Sequence, residues 1–150
     1  VEKESITYKT KKVSENDISL HLAKCNDSFL PPLTTRVNIA DYSKKIFDNA
    51  VTFEAWNDKE LIGLIATYFN EENKFGFITS VSVTKEYMGA GIASKLLQMC
   101  VEYATKNKHK EIKLEVFKDN IPAINFYKKY NFTQFATKDD SIFMNRMLNN

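Results

Sequence analysis

The sequence predicts an α+β fold, a mixed α/β sandwich with helices packed on a mixed sheet. Three observations predict it. In the middle of the chain stand three strands separated by two short polar turns, which implies an antiparallel meander. A strand, a long amphipathic helix and another strand follow in that order, the pattern of a right-handed parallel βαβ crossover. Two helices precede this block, and a helix and a hairpin close it. The chain has 150 residues, 43% of them hydrophobic, with no linker-like or repeated stretch. That composition supports one packed domain spanning residues 1–150.

Element by element, Ile6 to Lys12 alternates and reads as a first strand. Ser14-Glu-Asn-Asp17 supplies a capping-box-like start for a helix carrying Ile18, Leu20, Leu22 and Cys25. Phe29-Leu-Pro-Pro-Leu33 ends it, because proline disfavours helix in the residue before it and lacks an N–H. A second helix covers Asn38 to Asn49, with Ile39, Tyr42, Ile46 and Phe47 at helical spacing. Strands follow at Ala50–Trp56, Glu60–Phe69 and Phe75–Thr84. Gly89 opens a long segment running to Lys108, with Ile92, Leu96, Leu97, Cys100, Val101 and Ala104 in one stripe. A strand at Glu111–Phe117, a helix at Ile121–Tyr130 and strands near Phe132–Thr137 and Ser141–Leu148 complete the chain.

Charge and composition exclude several functions. The formal net charge is +2, which gives no general case for nucleic acid or an anionic membrane. Only Arg36 and Arg146 are arginines, so the fork suited to phosphates and base edges is scarce. Cys25 and Cys100 lie far apart and suit neither a disulfide framework nor a metal site. His21 and His109 lack metal-ligand spacing. The apolar run Leu61–Ala66 is far too short to span a bilayer. A cytoplasmic protein with no metal, no nucleic acid and no membrane partner is the default expectation.

The chemistry concentrates at Val81-Ser-Val-Thr-Lys-Glu-Tyr-Met-Gly-Ala-Gly-Ile-Ala-Ser94, where a strand enters and a helix leaves. The first N–H groups of a helix have no partner within it, and its dipole favours an anion there. Gly89 and Gly91 remove the Cβ atoms that would block close approach, so a pyrophosphate can sit on bare amides. A nucleotide P-loop does not fit, because its second glycine and its magnesium-binding hydroxyl are missing. A dinucleotide turn lacks its third glycine at Ser94, and Glu111 begins its strand where the ribose-binding acid belongs at the far end.

A third kind of anion site fits better. The stretch Met88-Gly-Ala-Gly91-Ile-Ala93 resembles the acetyl-CoA turn of the GCN5-related N-acetyltransferase (GNAT) superfamily, Gln/Arg-x-x-Gly-x-Gly/Ala. Gly91 and Ala93 match, and Met88 replaces the usual polar residue. Downstream, Asn120-Ile-Pro-Ala123-Ile-Asn-Phe126-Tyr127-Lys-Lys129-Tyr-Asn131-Phe132 is similar to that family's second pattern. Asn120, Ala123, Phe126, Tyr127, Lys129 and Phe132 match. Asn131 replaces a glycine where a left-handed residue is wanted, and asparagine is the usual second choice.

The resemblance implies an acyl-CoA N-acyltransferase fold: about seven strands, four helices over both faces, and a splay between the fourth and fifth strands. It implies acetyl-CoA (coenzyme A) as co-substrate and acetyl transfer to a primary amine by direct attack in a ternary complex. Val81, Ser82 and Val83 would hold the pantetheine arm. Met88, Gly89, Ala90, Gly91, Ile92, Ala93 and Ser94 would hold the pyrophosphate. Asn120, Phe126 and Lys129 would contribute to the cofactor site, and Tyr127 would be the general acid at the sulfur. No carboxylate lies on the strand Phe75–Thr84, so Glu54, Glu115 or a water held by Thr79 or Ser80 are the candidates for the base. Arg36, in the loop between the first two helices, is the candidate for an anionic group on the acceptor. The acceptor is a small-molecule or protein amine, and a homodimer is left open. Two rivals stand beside this reading: a non-catalytic acyl-CoA-binding module on the same fold, and a nicotinamide-binding oxidoreductase.

Overall fold

The computed structural model describes residues 5–149. Eleven regular elements are found among them: β1 (Ile6–Thr10), α1 (Glu15–Cys25), α2 (Ile39–Asn49), β2 (Val51–Asn57), β3 (Glu60–Asn70), β4 (Phe75–Val83), α3 (Ile92–Lys106), β5 (Glu111–Phe117), α4 (Ile121–Lys129), β6 (Thr133–Lys138) and β7 (Ser141–Met147). The sheet runs β1-β2-β3-β4-β5-β7-β6. Every neighbouring pair is antiparallel except β4–β5. The meander, the single crossover and the closing hairpin are therefore as the sequence predicts.

Local chemistry sets the boundaries. Ser14 Oγ accepts from the Asp17 amide at 3.0 Å, and the Asp17 carboxylate accepts from the Ser14 amide at 2.9 Å, a complete capping box for α1. Asn38 caps α2 through Oδ1 and the Asp41 amide. β1 stops at Thr10, two residues before the predicted end, because Lys11 takes a left-handed φ of 57°. α3 begins at Ile92 rather than Gly89. Gly89 (φ 83°) and Gly91 (φ 80°) are both left-handed, so they form a turn ahead of the helix, with Gly91 as N-cap.

Two apolar layers hold the sheet. Under α3 and α4 lie Phe53, Ile65, Ile78, Leu96, Leu97, Ile112, Leu114 and Phe132. Under α1 and α2 lie Ile18, Leu22, Ile46, Trp56 and Leu64. Burying each of these side chains is worth about 1.5–3 kcal/mol. The head of α3 is pressed on β3 at Gly63, where a Cβ would lie only 2.7 Å from Ile92 Cγ2. That close seat fixes where the helix starts.

Candidate active site

β4 changes character halfway along. Its first half pairs with β5 from Phe75 opposite Glu111 to Ile78 opposite Leu114, and the pairing ends there. On its other edge Ala66 faces Ser80 while Thr67 faces Ile78, so Thr79 is an extra residue, a β-bulge. A bulge bends and twists its strand, and at this point β4 leaves β5. The bulge also reverses which side chains face which layer. Ile78 belongs to the α3-side core, and Val81 and Val83 pack against that core too. Ser80 and Ser82 therefore turn to the α1 side.

Side chains from α1 and α2 pin this bend. The Tyr42 hydroxyl donates to the Thr79 carbonyl at 2.7 Å and lies 2.8 Å from its Oγ1. Burial raises the Tyr42 pKa, opposed by the Thr79 hydroxyl and by the charge of Arg36. His21 is buried between Leu61 and Ser82. Its Nδ1 lies 3.1 Å from the Leu61 carbonyl, and its Nε2 lies 2.9 Å from Ser82 Oγ. A carbonyl only accepts, so Nδ1 carries the hydrogen and the Ser82 hydroxyl donates to Nε2. Burial lowers the His21 pKa to about 4, which keeps the ring neutral.

Beyond the bulge, β4 offers free backbone. The Thr84 amide donates to the Ile62 carbonyl of β3 at 2.8 Å. By antiparallel alternation Ser82 also bonds toward β3, so Val81 and Val83 turn their N–H and C=O groups to the open gap. A second run of free groups lies at the head of α3. Among the described residues, the amides of Gly89, Gly91, Ile92, Ala93 and Ser94 donate to no carbonyl; the first helical bond is from Lys95 to Gly91. The space where Cβ atoms of Gly89 and Gly91 would stand is empty to 4 Å. These amides and the positive end of the helix make a cradle for an anion.

Both runs open into one cavity of about 1010 Å³. It passes from the α1–α2 loop through the gap in the sheet to α3 and α4. Val81, Ser82, Val83, Met88, Gly89, Gly91, Ile92, Ala93 and Ser94 line it, as do Asn120, Phe126 and Tyr127. Asn120 caps α4 with Oδ1 on the Ala123 amide at 3.3 Å, and its Nδ2 has no hydrogen-bond partner among the described residues. Tyr127 is held by the end of α4. The Phe132 amide donates to the Tyr127 carbonyl, the Asn131 amide donates to Lys128, and Asn131 has φ 71°. That is a Schellman motif, with the Tyr127 and Phe132 rings in edge contact at 5.8 Å. The Tyr127 hydroxyl has no hydrogen-bond partner among the described residues, and burial pushes its pKa well above that of free tyrosine.

Arg36 and Glu115 also line the cavity, at the end away from α3. Three expected site residues do not. Ala90 packs against the core and donates its amide to Tyr87. Lys129 is exposed, with Nζ 5.8 Å from the Tyr130 ring centre. Glu54 is fully buried and its carboxylate is saturated. Oε2 accepts from the Lys12 and Val13 amides and the Thr52 hydroxyl, and Oε1 accepts from Trp56 Nε1. It ties the β1–α1 corner to β2, is engaged by four donors and lies off the cavity wall, which removes it as a base. Burial raises the thiol pKa of Cys25 to about 11 and of Cys100 to about 12, so neither is a ready nucleophile. No group of three or more His, Cys, Asp or Glu is arranged to hold a metal among the described residues. No helix among them is long and apolar enough to cross a membrane.

Sequence reasoning missed the roles of Tyr42 and His21. The signal was faint: each is a polar-tipped ring in the apolar register of its helix, with nothing to say which strand it meets.

A splayed parallel pair with an amide cradle at one end is a geometry suited to an extended anionic ligand. A family model described as "Acetyltransferase (GNAT) family" matches residues 17–132. The chain belongs to that family. It is 37% identical over 60 residues to an N-alpha-acetyltransferase 30 of Schizosaccharomyces pombe, covering 40% of each chain. It is 33% identical over 75 residues to a probable spermine N(1)-acetyltransferase of Bacillus subtilis subsp. natto, covering 48% of this chain and 49% of that one. The chain thus spans about half or less of the length of these relatives. Among solved structures, an N-acetyltransferase of Thermoplasma acidophilum in complex with coenzyme A superposes with a TM-score of 0.76 at 18% identity, covering 94% of this chain and 99% of that one. The Escherichia coli ribosomal-protein-S18-alanine N-acetyltransferase gives 0.77 at 15% identity, over 97% and 95%. These likenesses fix the acyl-CoA N-acyltransferase fold.

Proposed function

We propose that the protein transfers an acetyl group from acetyl-CoA to a primary amine by direct attack within a ternary complex. The observation that carries this reading is that two sets of unpartnered amides, those of Gly89 and Gly91–Ser94 and those of Val81 and Val83, lie along one cavity. Acetyl-CoA supplies the thioester carbonyl. The amides of Gly89 and Gly91 to Ser94 hold its pyrophosphate without any basic side chain. Val81 and Val83 pair with the pantetheine arm as a missing strand would, and Asn120 Nδ2 donates to the same arm.

The residues around the gap then do three things. The Val81 N–H donates to the carbonyl oxygen as it gains charge. Glu115, the one carboxylate on the cavity wall without an ion pair among the described residues, takes the amine proton directly or through a water. Tyr127 donates a hydrogen bond to the departing sulfur. Its raised pKa makes it a weaker acid than free tyrosine, so it steadies the sulfur and does not ionise ahead of it. The amine nitrogen gains a bond to the acyl carbon and loses a proton to Glu115; the carbon–sulfur bond breaks, and the sulfur leaves as a thiolate held by the Tyr127 hydrogen bond, then takes a proton from solvent. Holding both reactants in one cleft supplies much of the rate.

The test is thiol release from acetyl-CoA across a panel of amines, with wild type and Tyr127→Phe. Turnover on at least one amine, lost in the variant, supports the reading. Tight CoA binding with no turnover on any amine would make the protein a binding module. Competition by NADH for the CoA site would favour the oxidoreductase.

A further inference from the structure

The two ends of the cavity differ in how their charges are satisfied. At the acceptor end stand three charged side chains. Asp140, in the β6–β7 turn, is paired with Lys118 at 3.4 Å. Arg36 and Glu115 make no ion pair and no side-chain hydrogen bond among the described residues, and both line the cavity. They come from opposite walls. Arg36 lies in the α1–α2 loop, and its charge is felt at Tyr42, whose hydroxyl sits on the bulge. Glu115 lies on β5 beyond the last β4–β5 pair. Leu114 and Val116 on either side of it are buried in the α3-side core, so Glu115 turns to the other face, where Arg36 lies. Apolar side chains, among them Phe29, Leu30, Pro31 and Phe77, line the same cavity.

We infer that the acceptor is a primary amine that carries a carboxylate on the same small molecule: Glu115 receives the amine, and Arg36 receives the carboxylate across an apolar spacer. The inference rests on the acetyltransferase reading above and narrows it to a substrate class. A polyamine fits this wall poorly. It would meet one free carboxylate and a guanidinium that repels its second cation. A neutral alkylamine would leave Arg36 unanswered in a partly apolar cleft. The guanidinium fork matches a carboxylate in a way that a lysine ammonium does not.

Matched acceptors test it: 4-aminobutyrate, its amide, butylamine and spermidine, followed by thiol release from acetyl-CoA. Calorimetry with CoA is run first on the same protein. The expected result is kcat/KM about tenfold or more higher for 4-aminobutyrate than for its amide or butylamine, with spermidine lowest. In Arg36→Gln the preference for the carboxylate over the amide collapses toward one, through KM. Arg36→Lys restores part of it. Arg36 is exposed, so both variants fold. The dipeptides Asp-Ala and Asn-Ala form a second arm: a preference for Asp-Ala beyond that for 4-aminobutyrate assigns the carboxylate to a peptide source. If CoA binds and amines are acetylated, but spermidine is the best acceptor or Arg36→Gln keeps the carboxylate preference, the inference is wrong and the acetyltransferase reading stands. If CoA gives no heat, the acetyltransferase reading itself fails.

Discussion

The two ends of the cleft are made of different material. The carrier end is backbone: the amides at the head of α3 and the free edge of β4 beyond Thr79. The acceptor end is side chains: Arg36, Tyr42 and Glu115 on three separate elements. A backbone site depends on φ angles and on the absence of Cβ atoms, so it tolerates changes of side chain. A side-chain site depends on identity and so can be retuned for each acceptor. Substitutions should therefore act oppositely at the two ends, and that contrast is open to attack.

Tyr127, where the two ends meet, carries the largest expected effect. Tyr127→Phe should lower kcat roughly a hundredfold by removing the donor to sulfur. Its CoA affinity, read by calorimetry, should stay close to wild type. Loss of binding would make the hydroxyl part of the carrier site.

His21 predicts a pH dependence. Its folded pKa is about 4 and the unfolded value is near 6.5. Between these values the unfolded chain binds a proton that the folded chain refuses, so stability falls as pH drops from 6.5 toward 4. The loss from this group is about 3 kcal/mol. Denaturant unfolding at pH 7 and pH 4.5 measures it. His21→Gln should flatten that slope while lowering stability at pH 7, and an unchanged slope would contradict the assignment.

At the carrier end, Gly91→Ala places a side chain at φ 80°. A left-handed non-glycine residue costs roughly 1–2 kcal/mol, so CoA affinity should weaken about tenfold in a titration. At the bulge, Tyr42→Phe removes one hydrogen bond to Thr79, worth about 1 kcal/mol. kcat should fall several-fold, with KM for acetyl-CoA little changed. The smallest effect is at Met88, which is about half exposed (53%) and offers no polar group. Met88→Ala should leave CoA affinity nearly as it was. A large loss there would mean that side chains, not amides, build the carrier end.

The same contrast explains what could be read from the sequence. Asn131 announces a left-handed position by residue type, so the end of α4 was visible without a structure, whereas the paired glycines marked the strand-to-helix turn but not that both precede the helix. The meander, the crossover and the closing hairpin followed from turn lengths and one long connection, but the insertion of β7 between β5 and β6 did not. At the acceptor end Arg36 and Glu115 stood among the candidates, but Tyr42 did not, and that the three line one cavity follows only from tertiary packing. Glu54 misled for the same reason. A glutamate on an interior strand could face either side, and nothing local says that two amides, a hydroxyl and an indole already occupy its oxygens. The bulge at Thr79 was equally hidden, since neither glycine nor proline marks it.

The most direct test of the central claim is an amide-resolved NMR titration with CoA. The account predicts that the largest downfield shifts fall on Gly89 and on Gly91 to Ser94, followed by Val81 and Val83. Shifts centred elsewhere on the protein, or none on these amides at saturating CoA, would contradict it.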